Sequence, residues 1–203
     1  MKTDLVKTVD AYRAKRGEFR LVEVPPQRYL MIDGHGDPNT APAYADAIAT
    51  LYPVAYALKF ASKLQLDCDY VVPPLEALWW ADDPAAFTSA RDKSQWDWTA
   101  MMLVPEWITD DLSEAALAKA AAKKAPALDL LRIATLAEGT CVQTLHIGSY
   151  DDEAPVLARL HDEIIPERGL RMTGRHHEVY FSDARRTAPE KLRTLLRQPV
   201  EPA

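Results

Sequence analysis

Two stretches of this chain carry the same order of apolar, polar and glycine positions at a constant distance of 112 residues. Phe19-Arg20-Leu21 overlays Leu131-Arg132-Ile133, and Gly36 overlays Gly148. Each glycine precedes a segment with the pattern of an amphipathic helix. Because similar patterns favour similar elements, the repeat predicts two ββαββ-like units related by a pseudo-two-fold axis.

The later part of each unit is related by a shorter distance of 102 residues. There Glu76-Ala77-Leu78-Trp79 overlays Glu178-Val179-Tyr180-Phe181. A helix about ten residues shorter in the second unit explains the change of distance. That helix is expected to have Pro155 in its first turn and Gly169 at its end. This overlay places Glu76 and Glu178 in equivalent strands.

Alternating and helical patterns predict the elements of the first unit. Strands are expected at 19–24, returning at 28–33 after the turn at Pro25-Pro26, and at 69–72, 76–81 and 95–104. A helix capped by Asp37 or Asn39 should be broken or kinked at Pro53. The chain is predicted as one α+β domain over 1–203, with module one at about 17–105, a helical linker at about 106–129 and module two at about 130–200.

Composition excludes several classes of function. The net charge of -6 over 203 residues argues against a nucleic-acid platform, which is usually basic. No apolar run approaches the ~20 residues that span a bilayer, and the first residues lack a secretory signal. We therefore expect no membrane partner and a cytoplasmic location.

Metal and nucleotide motifs are missing as well. The five histidines show no metal-ligand spacing, and the adjacent pair His176-His177 would point to opposite faces of a strand. Gly34-His35-Gly36 lacks the continuation of a phosphate-binding loop. We expect neither a metal nor another cofactor.

All five tryptophans fall between Trp79 and Trp107. Indole rings suit walls that stack flat ligands or cations, and the carboxylates Glu76 and Glu178 belong to the repeated strand segments. This combination predicts a pocket for a planar or cationic small molecule. Packing of the tryptophans in a core is the alternative, since large aromatic residues dominate cores too.

Strand alternation places His176, Glu178 and Tyr180 on one face. If the two units join their sheets, Trp80 and Trp98 would line one cleft with Glu178 and Tyr180. A carboxylate among aromatic rings either attracts a cation or handles protons. The predicted catalytic residues are Glu178, Tyr180 and Tyr150, and the predicted ligand-binding residues are Trp80, Trp98, Glu76, Met102, His146, His176 and Tyr70.

Several segments in order resemble the GyrI-like (DNA gyrase inhibitor-like) small-molecule-binding family in its stand-alone, two-module form. The likeness runs from about residue 17 over nearly the whole chain. The segments that carry it are Tyr29 to Pro38, Leu51 to Phe60, Pro74 to Trp80, His146 to Glu153 and Gly174 to Asp183.

The resemblance implies tandem β-α-β-β (SHS2-type) modules whose antiparallel sheets meet around a ligand cleft. It implies an acidic residue, here matching Glu178, that contacts cationic ligands. Some stand-alone members of the family hydrolyse the strained cyclopropane of DNA-alkylating cyclopropanoid compounds, which is a self-protection activity.

Two main functional hypotheses follow. The first is a hydrolase for an electrophilic, flat aromatic compound, in which Glu178 orients or deprotonates a water and Tyr180 or Tyr150 donates a hydrogen bond. The second is a non-catalytic drug-binding or sensing module for small hydrophobic or cationic ligands. A protein-interaction scaffold that uses the Arg-rich C-terminal stretch is a third reading, and the oligomeric state is left open.

Overall fold

The computed structural model describes residues 2–83 and 92–203. Within these ranges, nine strands and five α-helices form an α+β structure built on one large antiparallel sheet. The strands are β1 (Arg20–Val24), β2 (Gln27–His35), β3 (Leu75–Trp80), β4 (Asp97–Val104), β5 (Arg132–Leu136), β6 (Gly139–Ile147), β7 (Leu170–Met172), β8 (His176–Tyr180) and β9 (Arg193–Pro202). The helices are α1 (Leu5–Thr8), α2 (Pro42–Gln65), α3 (Asp110–Ala122), α4 (Ala154–Ala158) and α5 (Ile165–Glu167).

The strand order reads the same from both ends when corresponding strands are exchanged. Eight strands follow one another as β1-β6-β9-β8-β3-β4-β2-β5, and β7 pairs with β9. Exchanging β1 with β5, β2 with β6, β3 with β8 and β4 with β9 returns the same order. This symmetry is what two modules of one topology predict, and the sheets of the two halves join into one sheet at the β3–β8 pair. The exact module boundaries stay a prediction.

The first strand of each module, β1 and β5, pairs with a strand of the other module. β1 pairs with β6, and β5 pairs with β2. The expected return of β2 alongside β1 was therefore wrong. The alternation of apolar and polar residues in β1 defines its buried face but not its partner, so the sequence pattern fits either pairing.

The repeat distance of 112 residues is confirmed for these strands. β1 and β5 start at 20 and 132, and β2 and β6 span 27–35 and 139–147. For β3 and β8 the distance is 101 instead of 102. Gly34 pairs with Trp98 and Trp98 with Trp79, while His146 pairs with Thr194 and Thr194 with Tyr180, so Trp79 corresponds to Tyr180 and Ala77 to Glu178. A slip of one residue moves a side chain to the other face of a strand. Glu76 and Glu178 thus lie in equivalent strands but on opposite faces.

Helix α2 runs unbroken for 24 residues through Pro53. Pro53 and Ala49 are both exposed, so the hydrogen bond that Pro53 cannot donate is lost on the solvent side of the helix. The helix begins at Pro42, later than the predicted caps, because the Asp37 side chain accepts the Asn39 N–H in the loop. Its apolar face packs on β2 and β4. The buried α2 residues in that core are Ala47, Leu51, Val54, Ala55 and Leu58.

A helical segment at 150–167 covers the second half of the sheet. It combines a 3₁₀ turn at Tyr150–Glu153, α4, a π turn at Arg159–Ile164 and α5. Pro155 lies in its first turn, and Gly169 follows its end with a φ of 66°. Both predicted boundary residues are confirmed. We call β2, β3, β4 and α2 the first half of the structure, and β6, β8, β9 and this segment the second half.

The N-terminal residues cover the opposite face of the sheet. Leu5 of α1 and Tyr12 pack there with Leu78, Val179 and residues of neighbouring strands. The predicted strand at 69–72 is reduced to an isolated bridge between Thr3 and Tyr70. Nowhere in residues 2–83 or 92–203 is there a helix with the length and hydropathy needed to cross a membrane.

Candidate functional site

A broad cleft of about 1870 Å³ opens between α2 and the 150–167 segment, above strands β3 and β8. Its walls carry aromatic rings from both halves, and it continues past the strand ends towards the N-terminal residues. The aromatic residues that line this part of the cleft are Tyr44, Tyr52, Trp79, Trp96, Tyr150 and Tyr180. A flat apolar ligand therefore finds ring surfaces on several sides.

Glu178 lies in the floor of the cleft and is held in place by a short chain of hydrogen bonds. The Trp79 indole N–H donates to the Tyr180 hydroxyl at 2.9 Å, and that hydroxyl donates to Glu178 Oε2 at 2.7 Å. The Glu178 side chain is only 13% exposed. Register explains the arrangement, because Ala77 and Trp79 on β3 share a face with Glu178 and Tyr180 on β8. One oxygen of the carboxylate is thereby fixed, while Oε1 is left for other partners.

Two tyrosines beside this carboxylate remain protonated at neutral pH. Burial, and then the charge of Glu178, raise the pKa of Tyr180 well above its usual value. Burial, with the charges of Glu153 and Glu178, raises the pKa of Tyr150 to about 12. The two rings meet edge to face at 5.6 Å. Both hydroxyls can therefore act as hydrogen-bond donors.

The aromatic wall of the first half is a packed stack. The Tyr44 ring lies 4.9 Å from Trp98 and 5.9 Å from Trp79, and Trp79 contacts Trp96 at 5.6 Å. Trp98 is completely buried beneath this layer. It supports the wall from below, so its predicted role in contacting ligand gives way to core packing. Tyr44, Trp79 and Trp96 reach the cleft instead.

A pair of imidazoles lies behind Glu178. His176 Nε2 is 3.5 Å from Glu178 Oε1, and the rings of His161 and His176 meet edge to face at 5.7 Å. Burial, and then the neighbouring His176, lower the pKa of His161 to about 3. His161 therefore stays neutral. The sequence pattern did not single out His161, because no Cys or second His lies near it at metal-ligand spacing.

Trp80 is on the wrong face to meet Glu178. It follows Trp79 in β3, so its side chain projects to the opposite side of the sheet, where the Arg175 guanidinium lies 3.4 Å from its ring centroid. The prediction that Trp80 and Glu178 line one cleft was wrong. The error comes from the one-residue slip in the overlay of β3 on β8.

The remaining predicted residues are mostly buried away from the cleft. Met102 and Tyr70 belong to the core under α2. His146 is buried, and its Nε2 contacts the Ser149 carbonyl at 3.0 Å. None of these three lines the cleft among the described residues, and neither does His176, which was also predicted to contact ligand. Sequence alone could not separate them from cleft residues, because burial and lining both favour apolar or aromatic side chains.

Glu76 sits in a buried ionic network on the opposite face. Its carboxylate accepts the Tyr12 hydroxyl at 2.5 Å and contacts His177 Nε2 at 2.9 Å. His177 Nδ1 contacts Glu138 at 2.9 Å, and Arg197 donates to Glu138 at 2.8 Å. The two acids and two bases balance one another, which is how buried charges are tolerated. The predicted contact of Glu76 with ligand is therefore not supported by its position.

The network shifts the pKa values of its members. Burial alone would raise the pKa of Glu138, but His177 and Arg197 lower it to about 2. Burial alone would lower the pKa of His177, but the charge of Glu138 and hydrogen bonds to Glu138 and Glu76 raise it. Both shifts favour the charged forms in the folded protein.

In the part of the chain that the structure describes, no group of three His, Cys, Asp or Glu side chains is placed to hold a metal ion. Around Glu178 the cleft offers tyrosine hydroxyls, a neutral imidazole and ring surfaces, and its lining also includes the acids Glu153 and Asp183 and the bases Lys93, Arg185 and Arg193. Such a set binds aromatic or cationic molecules and can position a water.

Three solved structures resemble this one over their whole length. An uncharacterized conserved protein from Listeria innocua is 35% identical, with 98% of this chain and 100% of that chain covered and a TM-score of 0.87. A hydrolase from Listeria innocua is 33% identical, with 98% and 100% covered and a TM-score of 0.83. A second hydrolase from Listeria innocua is 32% identical, with 99% and 100% covered and a TM-score of 0.85.

No curated protein matches the sequence. Residues 17–201, however, match the GyrI-like small molecule binding domain, and this range includes the sheet, α2, the 150–167 segment and the cleft. The chain belongs to the GyrI-like family of small-molecule binding domains.

Proposed function

We propose that this protein binds flat, hydrophobic aromatic compounds in the cleft and hydrolyses those that carry a strained cyclopropane conjugated to a dienone. The observation that carries the proposal is the carboxylate of Glu178, fixed by Tyr180 and Trp79 in the floor of an aromatic cleft. Destroying such DNA-alkylating compounds would protect the cell.

Ring surfaces would position the substrate. Trp79 and Trp96 from the first half and Tyr150 from the second half face the same cleft. Stacking on these rings would hold the flat skeleton with its cyclopropane above Glu178. Positioning of this kind can supply much of a rate enhancement, and ring strain already lowers the barrier.

The proposed reaction adds one water. The water oxygen bonds to a methylene carbon of the cyclopropane, and the bond from that carbon to the ring-junction carbon breaks. The electron pair of the broken bond passes through the dienone to its oxygen, which becomes a phenolate. Glu178 takes the proton that the water loses and returns it to solvent, and the phenolate is protonated in turn.

The two tyrosines would have different roles. The Tyr180 hydroxyl is already engaged, since it accepts from Trp79 and donates to Glu178. Tyr150 lines the cleft, and its pKa of about 12 keeps its hydroxyl protonated. We assign the hydrogen bond to the developing phenolate oxygen to Tyr150, and the orientation of Glu178 to Tyr180.

The relatives lend support. Two structures that are 33% and 32% identical over nearly the whole chain are described as hydrolases. Small-molecule binding follows from the family, whereas catalysis is proposed from the position of Glu178.

The test is incubation with a spirocyclopropyl dienone, followed by chromatography of the intact compound and of the ring-opened phenol. Wild type should consume the compound faster than buffer, and Glu178→Gln should lose on the order of a hundredfold or more in rate. Glu167→Gln, an exposed acid in α5, is the matched control and should behave as wild type. Consumption at the buffer rate by wild type would refute hydrolysis.

A second candidate function uses the same carboxylate to bind a ligand without any reaction. A buried carboxylate with ring walls attracts a hydrophobic cation, and each ring contact contributes about 0.5–2 kcal/mol. Titration with a lipophilic phosphonium cation should quench tryptophan fluorescence, and Glu178→Gln should weaken binding. Tight cation binding without turnover of any dienone would favour this sensing or sequestering role.

A further inference from the structure

Behind Glu178, at and beneath the floor of the cleft, lie buried imidazole nitrogens with no hydrogen-bond partner among residues 2–83 and 92–203. They are both ring nitrogens of His176 and Nε2 of His161. His176 is only 8% exposed. A buried polar group without a partner costs about 1–3 kcal/mol, so such a cluster calls for an occupant.

The occupant must satisfy the carboxylate as well as the imidazoles. His176 Nε2 and Glu178 Oε1 are 3.5 Å apart, too far for a good direct hydrogen bond but close enough for one water to reach both. The other oxygen of Glu178 already accepts the Tyr180 hydroxyl. A water at this point would have the two to four polar partners that buried waters need.

His161 reaches this cluster from the helical segment. It lines the cleft and its ring stands nearly perpendicular to that of His176, at an interplanar angle of 84°. It belongs to the π turn at Arg159–Ile164, and π turns within helices are frequent at functional sites. The turn brings the imidazole onto β8 against His176, which shares its strand face with Glu178.

We propose that Glu178, His176 and His161 together hold an ordered water in the cleft floor, and that this is the water consumed by the reaction. The fate of the water rests on the proposed function, whereas its binding does not. Glu178 would take its proton, and the imidazoles would hold its oxygen in line with the bound substrate.

A crystal structure of the ligand-free protein at a resolution that defines ordered waters tests the binding directly. The expected result is a water within hydrogen-bond distance of Glu178 Oε1 and His176 Nε2. The absence of a water at this position, or a direct hydrogen bond between Glu178 and His176, would overturn the proposal whatever the activity.

Kinetics with a spirocyclopropyl dienone tests the use of the water. His176→Phe and His161→Leu should each lower kcat by on the order of tenfold to a hundredfold, while the Kd from fluorescence quenching stays unchanged. Thr144→Val, which removes another buried hydroxyl of the second half without a described partner, is the control and should keep wild-type kcat.

The outcomes separate the two proposals. A water at the expected place in a wild type without turnover would leave the water site standing and refute hydrolysis. Turnover by wild type together with unchanged kcat in both histidine variants would refute the role of the imidazoles and leave hydrolysis standing. If His176→Phe does not fold, His161→Leu and the ligand-free structure decide.

Discussion

The two halves of the sheet place different chemistry on strands that pair in the same way. In the first half, Ala77 lies opposite Ala100, and α2 covers both with an apolar face. In the second half, Glu178 lies opposite Leu196, and the 150–167 segment brings His161 against His176 on the same strand face. The backbone supports either an apolar core or a polar site at this position.

The pair of strands beside this one, β2 with β4 and β6 with β9, shows a larger contrast. In the first half Gly34 faces Trp98, and a Cβ on Gly34 would lie 2.2 Å from the indole. The corresponding pair in the second half is His146 and Thr194. The first half thus has a large ring opposite a glycine, whereas the second half has two medium-sized polar side chains at the corresponding positions. The first half supplies a rigid wall, and the second half supplies the reactive floor.

The largest effect is expected from Trp98→Ala. Trp98 is fully buried and supports Tyr44, so its truncation should lower the free energy of unfolding by about 3–5 kcal/mol. Urea denaturation at neutral pH measures this loss. A loss below about 1 kcal/mol would contradict the assignment of the first half as the packed wall.

The ionic network on the other face should make stability depend on pH. The folded pKa of Glu138 is about 2, against an ordinary value of 4.5. Its contribution is therefore present above pH 4.5 and is lost as the pH falls towards 2, by about 2 kcal/mol at pH 3. His177, whose pKa is raised, acts in the opposite sense and loses its contribution as the pH rises through its folded pKa.

Denaturation of wild type and Glu138→Gln at pH 7 and pH 3 measures the Glu138 contribution. The variant should be less stable at pH 7, because His177 and Arg197 lose their charged partner, and should show a smaller difference between the two pH values. An equal pH dependence in both proteins would show that Glu138 is not the titrating group.

A smaller effect is expected from Gly34→Ala. The added methyl group collides with the Trp98 ring, so we expect a loss of about 1–3 kcal/mol. The double variant Gly34→Ala/Trp98→Phe should be less destabilised than the sum of the single changes, since the smaller ring leaves room. Strict additivity in thermal or urea unfolding would argue against this contact.

The smallest effect is expected from Thr194→Val, at the position in the second half that corresponds to Trp98. The Thr194 hydroxyl is buried without a hydrogen-bond partner in the described part of the chain. Its removal should change stability by less than about 1 kcal/mol, in the stabilising direction. A clear destabilisation would reveal a polar contact at this position.

The repeat and the helix-boundary residues were sufficient to predict much of the fold. The distance of 112 residues located β1, β2, β5 and β6, and Pro155 and Gly169 bounded the second helical segment. The exchange of β1 and β5 between halves escaped prediction, because alternation along a strand carries no information on its partner. Pro53 stayed inside α2 because it lies on the exposed side.

The site was predictable only in part. Glu178, Tyr180 and Tyr150 do line one cleft. Trp80 and Glu76 were misplaced together by a single residue of register, which turns both side chains to the other face. His161 joins the site through a helical segment packed on a strand, a contact that no local spacing in the sequence encodes.

The central claim is that the face of β3 that carries Trp79, and not the face that carries Trp80, meets the ligand. Trp79 and Trp80 are adjacent and point to opposite faces, so they form a matched pair. The affinity for a lipophilic phosphonium cation, measured by calorimetry, should fall by on the order of tenfold in Trp79→Phe. In Trp80→Phe it should stay within about twofold of wild type. Loss of binding in Trp80→Phe with normal binding in Trp79→Phe would contradict the account.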